Sequence, residues 1–377
     1  MCRMGENSTK SRSISEQLRR EILGGKFDVT RKLPSEHQLM RRFSVARETV
    51  RSALKDLLDK KLVERRPGYG TFLADLAETK AAQKFAMIVP DAYYPFYERI
   101  CRGIADAAKE RGWTILSAAL GSGSMRDRAV RAVEFAEVCI RERVAGVFFQ
   151  PLQFIRDGEK VNRDILKLFK AADIPVVLLD SDFVAPPNRS EYDLVGVDNT
   201  GIGYLLAKHV IAAGAKKIMY FSNPLPAPTS LKRGTGVGLA VTEEGLPWNK
   251  NNVYFADPTD TRAAARVFAG RNRPDAIIAV NDYIASLLLK NLRSIGKRVP
   301  EDVLIAGVNG DPVAEESNPP LTTVVQPCHE IGRAAATLMF ERLANRDLLP
   351  REVFLSARLV GRESTKCFPK NKKKGRK

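Results

Sequence analysis

Apolar positions in the N-terminal part of the chain fall into helical stripes followed by two short alternating runs. Ile14, Leu18 and Ile22 recur every four residues and Gly24-Gly25 supplies a stop, which predicts a first helix. Residues 1–11 ahead of it are polar and are expected to be loose. Leu39, Met40 and Phe43 give a second, short helix its apolar side. Pro34 fixes the chain before it, and Ser35 and Gln38 stand at the spacing of a capping box. Phe43-Ser44-Val45 reads as a tight turn. A third helix buries Val50, Leu54, Leu57 and Leu58, and its first turn is expected to expose Arg47, Glu48, Thr49 and Arg51. Two strands then flank Pro67-Gly68-Tyr69-Gly70, a hairpin with turn residues at its tip.

From Phe85 the pattern changes to short continuous apolar runs alternating with amphipathic stretches. Strands are predicted at 85–90, 114–118, 146–150 and 175–180, with helices over 96–111, 125–141 and 161–172 between them. The order then begins again. A strand at 194–197 leads to a helix over 201–213, a strand at 217–221 to a helix near 231–244, a strand at 276–280 to a helix over 283–295, and a strand follows at 303–307. Continuous apolar strands separated by helices mean parallel sheets covered on both faces. Two such runs predict two similar lobes, although no residue-level repeat relates them.

The 377 residues and their 44% hydrophobic content allow two or three domains with proper cores. The formal charge of +17 is unevenly spread: residues 1–84 carry +8, residues 85–365 only +2, and residues 366–377 carry +7. A basic N-terminal module suits a polyanionic partner, while the lysine-rich end reads as a solvated, disordered tail. Cys2, Cys101, Cys139, Cys328 and Cys367 stand singly, and His37, His209 and His329 lack ligand spacing, so neither a disulfide framework nor a metal site is expected. The N-terminus has no apolar signal core and no run approaches a membrane helix, which predicts a cytoplasmic protein with no membrane contact.

No nucleophile elbow, Walker lysine loop or paired-carboxylate signature is present. Gly201-x-Gly203 and Gly234-Thr235-Gly236-Val237-Gly238 do not complete a dinucleotide fingerprint. The chain is therefore expected to be neither an enzyme nor a holder of a cofactor. A short helix that begins with arginines after a tight turn is, in contrast, what a recognition helix needs to reach base edges in a major groove. Together with the hairpin, the three helices make a winged helix–turn–helix.

Three blocks carry a specific resemblance. Leu33-Pro34-Ser35-Glu36, then Val45-Ala46-Arg47-Glu48-Thr49-Val50-Arg51-Ser52-Ala53-Leu54, then Arg66-Pro67-Gly68-Tyr69-Gly70-Thr71-Phe72 resemble the GntR-type DNA-binding domain in order and spacing. One departure is Ala46, where the family usually has an N-cap serine; its loss costs about 1 kcal/mol of helix stability. The resemblance implies DNA contacts from Arg47, Thr49 and Arg51, phosphate contacts from Arg65 and Arg66, and close approach of the wing through Gly68 and Gly70. Glu36 and His37 are expected to touch backbone or buttress the turn; Ser35, Glu48 and Tyr69 complete the DNA-facing set.

Residues 85–365 resemble the effector core of LacI-type repressors, a two-lobed type I periplasmic-binding-protein fold. The resemblance rests on Val89-Pro90-Asp91, Ile174-Pro175-Val176-Val177-Leu178-Leu179-Asp180, Val195-Gly196-Val197-Asp198-Asn199, Ala279-Val280-Asn281-Asp282, Val299-Pro300-Glu301-Asp302, and Pro319-Pro320-Leu321-Thr322-Thr323-Val324-Val325-Gln326-Pro327. It implies three chain crossings between lobes and a ligand in the cleft. Phe96 and Tyr97 fall at cleft-lining positions, with core packing as the other reading; Asp180, Arg233 and Asn281 are implied ligand contacts, and Asp282 a helix cap. Asn309 stands where the family's contacting Asp is usual, and Gly310 beside it also departs. The pairing of modules resembles arabinose-responsive repressors. The expected organisation is a DNA-binding domain at 1–74, a linker at 75–84, an effector domain at 85–365 and a basic tail at 366–377. The expected function is a homodimeric regulator of double-stranded operator DNA, controlled by a small effector, most simply a sugar. Repressor and activator both remain open, as does a sugar-active enzyme with a fused DNA-binding head.

Overall fold

The structure, a computed structural model, describes residues 3–23, 27, 32–60, 62–67, 69–73, 83–90, 94–121, 124–153, 157–185, 188–269 and 273–366. Gly68, the tail beyond Lys366 and most of the expected linker lie outside these residues. Residues up to Lys84 form one compact unit and residues from Phe85 another.

In the first unit the apolar stripe of Ile14, Leu18 and Ile22 drives α1 (Arg3–Leu23) onto the core. The helix begins at Arg3, so the expectation of a loose segment over 1–11 is corrected: the polar residues ahead of Ile14 extend the same helix. Helix α2 (Glu36–Phe43) starts with the complete capping box of Ser35 and Gln38 and ends on Ser44, whose φ of 51° turns the chain. Helix α3 (Arg47–Asp59) has Ala46 at its N-cap and no side-chain cap. Strands β1 (Val63–Arg66) and β2 (Gly70–Leu73) pair antiparallel, and Lys32 bridges to Phe72 on the other edge. A hydrogen bond between Ser15 and Asp56 ties α1 to α3, and Arg42 donates to Glu21 to tie α2 to α1. The three helices and the hairpin close over one apolar cluster centred on Leu18, Leu39, Val50 and Leu57.

The second unit has two six-stranded sheets. Lobe 1 contains β3 (Lys84–Val89), β4 (Thr114–Ala119), β5 (Gly146–Phe149), β6 (Val176–Leu179) and β7 (Asp193–Val197). Helices α4 (Pro95–Lys109), α5 (Met125–Arg141) and α6 (Gly158–Ala171) connect them. Lobe 2 starts with α7 (Asn199–Ala212), β8 (Ile218–Ser222), α8 (Pro228–Glu243), β9 (Val253–Phe255) and α9 (Thr261–Ala269). It continues with β10 (Ala276–Ala279), α10 (Asp282–Ser294), β11 (Leu304–Asn309), α11 (Pro312–Glu316) and β12 (Thr322–Val325). The chain then returns to lobe 1 for α12 (Cys328–Ala344) and β13 (Glu352–Leu355), and ends on lobe 2 with β14 (Arg358–Val360). The lobes are thus joined by three crossings, after Val197, Val325 and Leu355.

The strand at 194–197 was expected to open the second lobe. It closes the first instead: β7 pairs in parallel with β6 on one side and with β13 on the other, and the crossing comes after it. The strand order is β13-β7-β6-β5-β3-β4 in lobe 1 and β14-β12-β11-β10-β8-β9 in lobe 2. All the registered pairs are parallel except the edge strand β14 on β12.

Each lobe is locked by two helices that cross at glycines. On α7 and α8, a Cβ at Gly203 would overlap the carbonyl oxygen of Arg233, and one at Gly236 would overlap that of Thr200. On α4 and α12, Gly103 faces the carbonyl of His329 and Gly332 that of Ile100 in the same way. Gly203 and Gly236, from the two glycine traces of the sequence, are therefore packing devices that let backbones touch. Gly236→Ala is expected to destabilise the second unit by about 1–3 kcal/mol, since the overlapping atom is backbone and cannot rotate away. A lowered urea midpoint with an unchanged slope is the expected reading; an unchanged midpoint would contradict the close crossing.

Candidate functional site

The exposed side of α3 is organised by one carboxylate. Glu36, at the start of α2, accepts hydrogen bonds from Arg47 Nε at 3.0 Å, Arg51 Nε at 3.3 Å and Arg65 Nη2 at 3.0 Å. Its own side chain is 17% exposed, whereas those of Arg47, Arg51 and Arg65 are 64%, 48% and 60% exposed. Partial burial acts to raise the Glu36 carboxyl, but the hydrogen bonds and charges of Arg47 and Arg51 outweigh it and hold the group below its ordinary range. Helix α3 and the wing strand β1 thus deliver three guanidinium groups to one carboxylate on α2 and leave the arginine side chains largely exposed. Arg66 pairs with Glu64 at 2.6 Å and lies over the Phe72 ring. His37, Glu48, Tyr69 and Gly70 are exposed around this face, and Ser35 is engaged in the capping box. Gly70 has a φ of 116°, which a residue with a side chain rarely adopts.

Thr49 differs from expectation. It is 3% exposed and belongs to the inward side of α3 with Val50 and Ala53, so it cannot present its hydroxyl at the surface. The inward stripe is one residue wider than the aliphatic pattern indicated.

In the second unit a cavity of about 350 Å³ lies between the lobes. The strands of both parallel sheets end on it, as ligand sites in open α/β sheets do. Lobe 1 contributes Phe96, Tyr97, Arg128, Gln153 and Asp180; lobe 2 contributes Asn223, Ser230, Arg233, Thr259, Asn281, Tyr283 and Asn309. All six expected ligand contacts therefore line one cavity. Phe96 satisfies both of its readings, because it is 5% exposed, belongs to the core cluster and also lines the cavity. Its ring meets that of Tyr97 edge-on at 5.1 Å.

The polar groups are held from behind. Arg233 is buried, with Nε donating to Asn199 Oδ1 and Nη1 to the Val280 carbonyl, both at 2.7 Å. Asn309 accepts from Gln326 Nε2 at 2.9 Å and donates to Asp311 Oδ2 at 3.1 Å. Asp180 and Asn309 have φ values of 64° and 120°, strained for residues with side chains and concentrated at the cavity. Asn281, not Asp282, caps α10: its side chain accepts from Ile284 N at 2.8 Å. Asp282 is buried beneath it and accepts from Asp311 N at 2.9 Å, and burial pushes its carboxyl up to about 7. The expected cap thus shifts by one residue. Arg99 on α4 reaches across the lobes to Asp311 at 2.9 Å and to the Gly310 carbonyl at 3.0 Å, while Tyr94 donates to Asp311 at 3.1 Å.

On the lobe 1 residues that line the cavity, three buried atoms have no hydrogen-bond partner among the described residues: Arg128 Nε, Gln153 Nε2 and Asp180 Oδ1. Leaving such atoms unpaired costs about 1–3 kcal/mol each, which marks the cavity as built for a polar guest. Arg128 and Gln153 were not foreseen from the sequence; on an amphipathic helix and in a loop, nothing distinguishes them from solvated residues. Among the described residues no cluster of three potential metal ligands occurs, and no helix is long and apolar enough to cross a membrane.

Two consequences can be measured. An aspartate in the unfolded chain ionises near 3.9, but burial pushes Asp180 up to about 6 against the pull of Arg233. The folded protein holds this proton more tightly, so ionised Asp180 costs about 3 kcal/mol above pH 6, a cost absent below pH 4. Asp180→Asn is expected to raise the urea midpoint of the ligand-free protein at pH 8 and to leave it unchanged at pH 4; equal midpoints at pH 8 would refute the buried charge. In the first unit, Glu36→Gln frees the three arginines and removes a negative charge. Affinity for arbitrary duplex DNA is expected to rise while operator preference falls about tenfold in competition assays; an unchanged preference would show that Glu36 organises nothing.

Comparison with known proteins gives the family context. Residues 10–73 match the gntR family of bacterial regulatory proteins, and residues 207–365 match the periplasmic-binding-protein-like domain. An arabinose metabolism transcriptional repressor from Geobacillus stearothermophilus is 26% identical over 93% of this chain and 97% of its own length. The transcriptional regulator CelR of Thermobifida fusca is 29% identical over 72% of this chain and 76% of its own. A solved complex of the regulator CelR with cellobiose superposes with a TM-score of 0.65 at 25% identity, covering 84% of this chain and 90% of that one. The chain therefore joins a DNA-binding domain of the gntR regulatory family to a periplasmic-binding-protein-like domain.

Proposed function

We propose that this chain is a transcriptional repressor whose hold on operator DNA is set by a small sugar in the interlobe cavity. The observation that carries the reading is the cavity itself, with orphaned donors and acceptors in a chain whose other unit displays a basic recognition face. Arg47, Arg51, Arg65 and Arg66 contact DNA; Arg47 and Arg51 sit on the helix that enters the major groove, and the other two meet phosphates along the wing. Glu36 and the Ser35 cap hold them in register, with His37, Glu48, Tyr69 and Gly70 at the rim. Thr49 has only a structural role. Phe96 and Tyr97 offer ring faces to the C–H side of a sugar, and Asp180, Arg233, Asn281 and Asn309 pair with its hydroxyls.

A single winged helix offers too few contacts for specificity at physiological salt, so the protein works as a homodimer on a two-fold operator in the cytoplasm, where the DNA is. The relatives named above as an arabinose repressor and as a cellobiose-bound regulator support a sugar effector and the repressor sense.

The test is operator titration at fixed salt with and without saturating sugar. A 5–150-fold change in affinity is expected, the range of ordinary allosteric coupling. Arg47→Ala should lose operator binding by about 1–3 kcal/mol per half-site and keep sugar binding. Asn281→Asp should do the reverse, because aspartate preserves the cap of α10 and removes the amide donor. Equal operator affinity with and without every sugar tried would remove the proposed mechanism.

A further inference from the structure

The charges facing the cavity restrict the kind of sugar. Among its described lining residues only Arg128, Asp180 and Arg233 are ionisable as acid or strong base, two cations against one carboxylate. The carboxylate is the weaker partner, since burial makes Asp180 reluctant to ionise. Of the described acids just beyond the lining, Asp311 is paired with Arg99 and Asp282 lies buried behind Asn281. At the end of β11 the side chain is Asn309, an uncharged amide whose oxygen is occupied by Gln326. The described lining of the cavity therefore carries an excess of positive charge.

The orphaned atoms have a matching polarity. Among the described residues Arg128 Nε and Gln153 Nε2 are donors that lack acceptors, and Asp180 Oδ1 is an acceptor that lacks a donor. A neutral sugar can satisfy Asp180 with a hydroxyl, but it brings no charge to meet the guanidinium of Arg128. We infer that the effector is an acidic sugar, whose hydroxyls pair with Asp180 and Asn281 and whose anionic group is received by Arg128 and Gln153 on the lobe 1 wall. A cavity of about 350 Å³ suits a single acidic monosaccharide. The inference rests on the sugar-controlled reading above and narrows it. Carboxylate and phosphate share the required chemistry, planar or tetrahedral oxygens that accept from an arginine fork.

The experiment is calorimetric titration of the full chain with matched ligands: glucose, glucuronate and glucose 6-phosphate, and the galactose and arabinose series with their acids and phosphates. An acid or a phosphate is expected to bind at least tenfold more tightly than its neutral parent, with affinity falling as salt rises. Which of the two wins distinguishes carboxylate from phosphate. In Arg128→Gln the acid-to-neutral ratio is expected to fall towards one, and in Arg128→Lys to recover in part; the thermal melting of each ligand-free variant establishes that it is folded. Neutral sugars binding as tightly as their anionic partners would overturn the inference and leave the sugar-controlled reading standing. An anionic preference that survives Arg128→Gln would overturn the assignment of Arg128. Failure of all these sugars to bind would overturn both readings.

Discussion

Parallel strands end together, and this single constraint places the cleft. In each lobe the right-handed strand–helix–strand connections send every parallel strand the same way, so the loops that follow the strands gather at one end of the sheet. Two such sheets joined by three short crossings have little choice but to face those ends towards each other. Asp180 after β6, Asn281 after β10 and Asn309 at the end of β11 meet for that reason, although they are far apart in sequence. The left-handed backbone at Asp180 and Asn309 is the local consequence: the chain must turn sharply off a strand while still presenting a side chain to the cavity. The glycine crossings of α7 with α8 and α4 with α12 keep the two layers thin enough for this geometry to hold.

Much of this was legible in the sequence, and the failures have distinct physical origins. Local patterns located the winged-helix elements and the alternation of strands and helices, because burial on one face leaves a periodic trace. Lobe membership leaves none. Strand β7 reads like the start of a new run, and only its pairings, with β6 on one side and on the other with β13, supplied from more than a hundred and fifty residues later, assign it to lobe 1. Helix α12 and strand β13 escape local pattern for a related reason: the alternation of strands and helices runs its course by β11, and the return to lobe 1 is a tertiary event. Thr49 failed on geometry, since a polar side chain on the edge of a buried stripe can be covered without breaking the pattern. The cap of α10 was misplaced by one residue because Asn281 and Asp282 are both good caps, and only the burial of Asp282 decides between them.

The candidate sites were legible to different degrees for the same reason. Most cleft residues sit at strand ends, which sequence can locate; Arg128 sits one turn into a helix and could not be told from a solvated arginine. On the DNA-binding unit the arginines were visible and their organiser was not. Glu36 is separated from Arg47, Arg51 and Arg65 by 11, 15 and 29 residues, and no local rule connects them. On the proposed DNA-facing surface a carboxylate repels phosphate in the far field. Its hydrogen bonds fix three flexible side chains in advance, so that under the proposed reading less of their rotamer entropy would be lost on DNA.

The polar network behind the cavity bears on how occupancy reaches the rest of the unit. Asn309 lines the cavity, and its amide donates to Asp311, the same carboxylate that receives Arg99 and Tyr94 from the opposite lobe. Asp311 in turn donates its backbone N–H to Asp282, which lies under the cap of α10. A ligand hydroxyl that engages Asn309 therefore competes for, or orients, a group already engaged in holding the lobes together. Buried networks of this kind respond as units, because in a low dielectric each hydrogen bond polarises its neighbours and any member left unpaired costs the full desolvation of that group. The contact between ligand and protein and the contact between lobe and lobe are thus two ends of one hydrogen-bonded chain, three residues long in sequence, and a change at Asn309 cannot leave the Arg99–Asp311 junction untouched.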